Sequence, residues 1–126
     1  MEPADKLIGK AEECVRSGDL RGAVAAYRSY LDERPNDADA HACLGDLYAR
    51  DGLEDDAVLS YENALTYEPE HFRAYVGIAN VLTRKGWPHA AIVVLEAMER
   101  MRPNDPAAHD EVVRARAAIQ IGRAHV

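Results

Sequence analysis

Large aromatic side chains are scarce in this chain. They make up 6% of 126 residues, with one tryptophan and one phenylalanine, and alanine supplies much of the 48% hydrophobic share. Many small and few large apolar residues suit close helix–helix contact better than a sandwich or barrel. Cysteine is nearly absent too. Cys14 and Cys43 are too few and too isolated for a disulfide framework, and read as small buried apolar residues in a reducing compartment. Basic residues fall short of acidic ones, 15 against 22, for a formal net charge of −7. That balance excludes the basic footprint needed for general nucleic-acid or anionic-membrane binding. No window approaches the roughly eighteen apolar residues that would span a bilayer. The N-terminal MEPADKLIGKAEE lacks the basic region and apolar stretch of a signal peptide. A cytoplasmic protein with one domain, large enough to hold its own core, is expected.

Catalytic and ligand-binding constellations are also missing. The histidines, His41, His71, His89, His109 and His125, never stand three or four residues apart on one helix. The cluster Glu68-Pro69-Glu70-His71 falls on a turn, where solvated or capping roles are ordinary, so no metal site is expected. His41 and His109 are expected half-buried at a helix–helix seam. Neither cysteine has a thiolate-stabilising setting, and no glycine-rich phosphate loop occurs. Trp87 reads as a packing residue at a turn, with Pro88 tolerated in the first turn of the next helix. The expectation is no enzyme and no cofactor.

What the chain does have is a period of 34 residues. Pro35, Pro69 and Pro103 keep that spacing, as do Gly18, Gly52 and Gly86, Ala23, Ala57 and Ala91, and Arg16, Arg50 and Arg84. Tyr27, Tyr61 and Leu95 form a further column. Such a period demands a structural unit of that length. In each first half, apolar residues recur at helical spacing: Leu7, Ala11 and Cys14, then Leu44, Leu47 and Tyr48, then Tyr75, Ile78, Ala79 and Leu82. Each run stops at its glycine, the residue preferred where the chain turns left-handed past a helix end. The preceding arginine favours the negative helix end. Second helices follow around 21–33, 55–67 and 89–101, each closing before its proline. Asn36-Asp37 and Asn104-Asp105 supply cap chemistry for the next helix. Ala11, Gly45 and Ala79 face Ala23, Ala57 and Ala91 where the two helices of a pair touch, while Tyr27, Tyr61 and Leu95 fill the space beside them.

The middle unit, HACLGDLYARDGLEDDAVLSYENALTYEP, resembles the tetratricopeptide repeat family through Leu44, Gly45, Tyr48, Gly52, Ala57, Tyr61, Ala64 and Pro69. The outer units depart more: Tyr30 and Met98 replace a small alanine, and Ala11 and Ala79 replace glycine. The resemblance implies an all-α fold, a right-handed superhelical solenoid of antiparallel helix pairs, with about three and a half repeats over 4–119. The units are 4–37, 38–71 and 72–105, followed by a partial fourth unit or capping helix at 106–119. About three such pairs suffice for independent folding.

The resemblance also implies a concave groove lined by the first helix of each pair. Residues pointing away from the partner helix are Asp5, Ile8, Glu12 and Arg16, then Asp39, Ala42, Asp46 and Arg50, then Arg73, Val76, Asn80 and Arg84. Glu12, Asp46 and Asn80 form an acidic-to-polar row, and Arg16, Arg50 and Arg84 a basic one that also serves the helix ends. Ile8, Ala42 and Val76 give an apolar strip between them. Such a surface suits a peptide segment, and the expected function is a protein–protein interaction scaffold or adaptor. The alternatives are the N-terminal regulatory repeat region of a longer enzyme or signalling protein, and a small bacterial secretion chaperone. Some members of the family clamp chaperone C-terminal carboxylates with a lysine and asparagine, an asparagine, and a lysine and arginine from successive units. The corresponding residues here are Ile8, Glu12, Cys43, Arg73 and Gly77. Only Arg73 is basic and Glu12 would repel a carboxylate, so no chaperone C-terminal tail is expected as partner.

The repeat register breaks near the end, where Gly122 arrives two residues late. QIGRAHV, residues 120–126, can be written CAG ATC GGA AGA GCA CAC GTC, the start of a widely used sequencing-library adapter whose next codon is a stop. The expectation is a non-native tail at 120–126, with no role for Arg123 or His125, and a natural protein that continues past Ile119.

Overall fold

The computed structural model describes residues 3–124, and the side chains of 3–121. Among the described residues there are seven helices and no strand: α1 (Pro3–Ser17), α2 (Leu20–Glu33), α3 (Ala38–Arg50), α4 (Glu54–Tyr67), α5 (Phe72–Arg84), α6 (Pro88–Met101) and α7 (Pro106–Ala124). The three second helices each begin one residue before the expected position and end where the pattern placed them. α7 continues past Ile119 to Ala124. Of the 120–126 tail, His125 and Val126 lie outside the described residues.

The punctuation is chemical. Gly18, Gly52 and Gly86 have φ of 81°, 76° and 86°. After α3 the Gly52 N–H donates to the Ala49 carbonyl at 3.2 Å, and the Leu53 N–H to the Tyr48 carbonyl at 2.9 Å. The same two bonds close α1 (Gly18 to Val15, Asp19 to Cys14) and α5 (Gly86 to Thr83, Trp87 to Leu82). This paired pattern satisfies carbonyls that a helix end leaves open, and it needs the left-handed residue that glycine supplies. Helix starts are capped by side chains: Asp19 accepts from the Gly22 N–H, Asp37 from that of Ala40, and His71 Nδ1 from that of Ala74. Asp105 accepts from the Ala107 N–H at the start of α7. Each such cap stabilises by about 1 kcal/mol.

The helices form two compact units, one up to Pro69 and one from Glu70 onward. In the first, α1 packs on α2, α3 on α4, and α2 on α3. Its core includes Ala11, Ala23, Tyr27, Tyr30, Leu31, Leu44 and Leu47. The tightest contact is between α3 and α4. A Cβ on Gly45 would sit 2.7 Å from Tyr61 Cε1, so only glycine lets that ring lie flat against the helix. Tyr61 is 2% exposed, and its hydroxyl donates to Asp46 Oδ1 at 2.5 Å. Tyr30, standing where alanine is common, also finds an acceptor: its hydroxyl donates to Asp37 Oδ2 at 2.5 Å.

In the second unit α5 packs on α6 and α6 on α7. Ala79, Ala91, Leu95, Met98, Ala108 and Val112 make its core, with Phe72, Tyr75 and Leu82 against it. Arg116 pairs with Glu96 and His109 Nδ1 lies 2.6 Å from Glu99, so two polar contacts tie α7 to α6. Two expectations need correcting here. The His109 side chain is 64% exposed rather than half-buried, because it sits on the outer rim of α7 facing Glu99. Trp87 is 56% exposed, with Lys85 Nζ 5.4 Å from its ring centroid, so it covers the turn from outside instead of filling it. His41 does sit half-buried. It stacks on Tyr67 with ring centroids 5.6 Å apart, and its Nε2 lies 2.8 Å from the Pro35 carbonyl.

Candidate peptide-binding surface

Each first helix carries its candidate residues on one face, because positions three and four apart stack along a helix. On α1 these are Ile8, Glu12 and Arg16. Glu12 and Arg16 are exposed, while Ile8 is half-buried and packed against the core of its unit. The Arg16 guanidinium turns along its own helix to Glu13 at 2.6 Å, and that hydrogen bond holds it above its ordinary pKa.

On α3 the two candidates differ. Arg50 is exposed in the last turn. Asp46 is half-buried and already accepts the Tyr61 hydroxyl, which ties it to α4. A charge that sequence reasoning assigned to the groove is therefore also part of the helix–helix contact. The missed signal was Tyr61 itself, since a buried phenol needs an acceptor nearby. The apolar strip needs a similar correction. Ala42 is wholly buried, and Val76 on α5, like Ile8, packs against its own core. Only the outer edges of Ile8 and Val76 are left for a ligand. Arg73, Asn80 and Arg84 are exposed on α5.

In chemical terms, the exposed part of the surface is a set of charged and amide groups on rigid helices. Glu12 can accept hydrogen bonds, Arg50 and Arg84 can donate to carbonyls or carboxylates, and Asn80 can do both. Cys14 and Cys43 are half-buried and neither is in a disulfide.

The sequence profile for the tetratricopeptide repeat matches residues 9–63 and again 54–106, which together cover most of the chain. The chain belongs to the tetratricopeptide repeat family. Tetratricopeptide repeats are generally non-catalytic protein-interaction units, and this chain is an interaction scaffold in that general sense. A tetratricopeptide stretch of 69 residues is 32% identical to the BBSome complex member bbs-4 of Caenorhabditis elegans, spanning 55% of this chain and 15% of that relative. Among solved structures, the type III secretion translocator chaperone SycD of Yersinia enterocolitica superposes with a TM-score of 0.81 at 21% identity, over 95% of this chain and 93% of that one. The first tetratricopeptide domain of Spaghetti (RPAP3), solved with the HSP90 peptide SRMEEVD, gives 0.78 at 18% identity, over 93% and 95%. At these identities the likeness shows the all-α repeat fold and nothing finer. No helix among the described residues is long and apolar enough to cross a membrane.

Proposed function

We propose that the chain is a scaffold or adaptor that holds a peptide segment of another protein in the concave groove the family implies, against the outward faces of α1, α3 and α5. The observation that supports this most directly is the exposure of Glu12, Arg50 and Asn80 on helices whose opposite faces are buried in helix pairs. The backbone that carries these groups is already helical, so binding orders side chains but no loop, which is where a helical platform gains. The match to a member of a multi-protein complex is consistent with a scaffold role. Ile8, Glu12, Cys43 and Gly77 at the other clamp positions argue against chaperone C-terminal tails.

A displayed random-peptide library selected on the purified chain tests the reading. Enriched peptides should lose about tenfold or more in affinity for a chain carrying Glu12→Ala, Arg50→Ala and Asn80→Ala together. Peptides that bind parent and triple variant equally would place the binding elsewhere and refute it.

A further inference from the structure

Two cavities of the first unit are lined by none of the residues of that proposed groove. One, of about 270 Å³, is lined by Leu20, Arg21, Val24, Arg28 and Leu53 among others. The other, of about 450 Å³, shares Arg28, Tyr48 and Leu53 with it and adds Asp56, Leu59 and Asn63. Together they form a trough with α2 on one side, α4 on the other and side chains of α3 between. Leu53 and Leu59 are 44% and 58% exposed there. The rims differ in charge. Arg21 and Arg28 stand seven residues apart on α2, and Asp56 and Asn63 seven apart on α4. Arg21, Arg28 and Asp56 are exposed, and none has an ion-pair partner among the described residues.

We propose that this trough docks an amphipathic helix of a partner protein, distinct in place from the first-helix groove and independent of that reading. Seven residues of helix rise about 10 Å, two turns, so each rim presents polar groups at the repeat of a partner helix lying along it. The partner's apolar stripe covers Val24, Leu53 and Leu59. One of its flanks is acidic and faces Arg21 and Arg28, and the other is basic or amide-bearing and faces Asp56 and Asn63. The unpaired, oppositely charged rims are what select that chemistry over a plain apolar helix.

The probe is a designed fourteen-residue capped helix with leucines at alternating three- and four-residue steps, two glutamates on one flank and two lysines on the other. Its control has the same composition, with one glutamate and one lysine on each flank, so that no orientation satisfies both rims. Fluorescence anisotropy should give about tenfold tighter binding for the segregated peptide. Arg21→Glu with Arg28→Glu should abolish that preference, and Leu59→Asp should weaken both peptides. All three positions are exposed, and circular dichroism checks that the variants stay folded. Glu12→Ala should leave the affinity unchanged. Equal binding of the two peptides, no binding, or a preference that survives the double arginine reversal would overturn the proposal. So would a sedimentation equilibrium dimer that Leu59→Asp disperses, because the occupant would then be a second copy of the chain.

Discussion

Replacing Gly45 with alanine sets two effects of opposite sign against each other. In a helix interior alanine is favoured over glycine by about 1 kcal/mol. Against this, the new methyl would lie 2.7 and 2.8 Å from two ring carbons of Tyr61, well inside the roughly 3.5 Å at which carbons pack. The ring has little room to retreat, since Tyr61 is buried and its hydroxyl is anchored on Asp46. Overpacking of this kind costs about 1–3 kcal/mol. The equivalent positions of the first pair, Ala11 and Tyr27, show that alanine and tyrosine coexist when helix spacing suits them, which favours the lower half of that range. The net expectation is a loss of up to about 1 kcal/mol, or up to about 5 °C in melting temperature.

Urea unfolding followed by far-UV circular dichroism and by tyrosine fluorescence measures it. Two probes are needed because repeat arrays can lose two-state behaviour, and the exposed Trp87 is a poor reporter of the core. The decisive arm is the Tyr61→Leu background, which reproduces the Ala79 and Leu95 pairing of the third repeat. There the alanine should be neutral or stabilising, a coupling of about 1–2 kcal/mol between the two sites. An increase in stability from Gly45→Ala alone, or the same effect in both backgrounds, would refute the argument that ring contact decides the sign.

Other perturbations follow from the same contacts. Tyr61→Phe should cost about 1 kcal/mol in urea unfolding by removing the bond to Asp46, and Asp46→Ala somewhat more, since it leaves the buried hydroxyl without its acceptor. Gly52→Ala, at φ +76°, should destabilise by about 1–2 kcal/mol, whereas Gly52→Asn should lose less. Tyr30 is raised above its ordinary pKa of 10.0, first by its hydrogen bond to Asp37 and then by burial. The neutral phenol is the form the fold favours, so its contribution is complete below the unfolded value and is lost as pH rises through the folded one. The alkaline loss of stability should therefore be smaller in Tyr30→Phe, measured as a flatter stability profile above about pH 10. The peptide SRMEEVD, titrated calorimetrically, should show no micromolar affinity for the chain, because Glu12 and Ile8 stand where a carboxylate clamp needs cationic and amide donors.

The fold was legible because its determinants recur. Gly18, Gly52 and Gly86 hold a backbone conformation few other residues adopt, and each proline column closes a helix, so the spacing alone placed three second helices to within a residue. Contacts that depend on one pair of side chains were not legible. Asp46 looked like a groove charge because a mid-helix aspartate has no local explanation, and its acceptor role appears only when α4 brings Tyr61 across. Ala42 looked exposed because helical periodicity identifies the face turned from the partner helix, without saying what else covers that face. Trp87 and His109 were expected to pack at a turn and at a helix–helix seam, yet Trp87 is 56% and the His109 side chain 64% exposed, because their positions in the repeat do not say on which side of the turn or rim each ring lies.

The same distinction says where partner recognition is written. The small-residue column Ala23, Ala57 and Ala91 is fixed by helix contact and carries no information about a ligand. Columns that change chemistry from repeat to repeat are free of that constraint. Arg21 corresponds to Asp55 and His89, and Arg28 to Glu62 and Glu96. α2 therefore presents cations at two positions where its counterpart α4 presents anions, so the Arg21–Arg28 rim of the trough is particular to the first repeat. Glu12, Asp46 and Asn80 vary in the same way on the first helices, but Asp46 is held by Tyr61, so that row offers two adaptable groups rather than three. Reversing Arg28 changes a position the fold leaves open, while reversing Asp46 changes one the fold uses. A binding defect without a stability defect is expected only from the first.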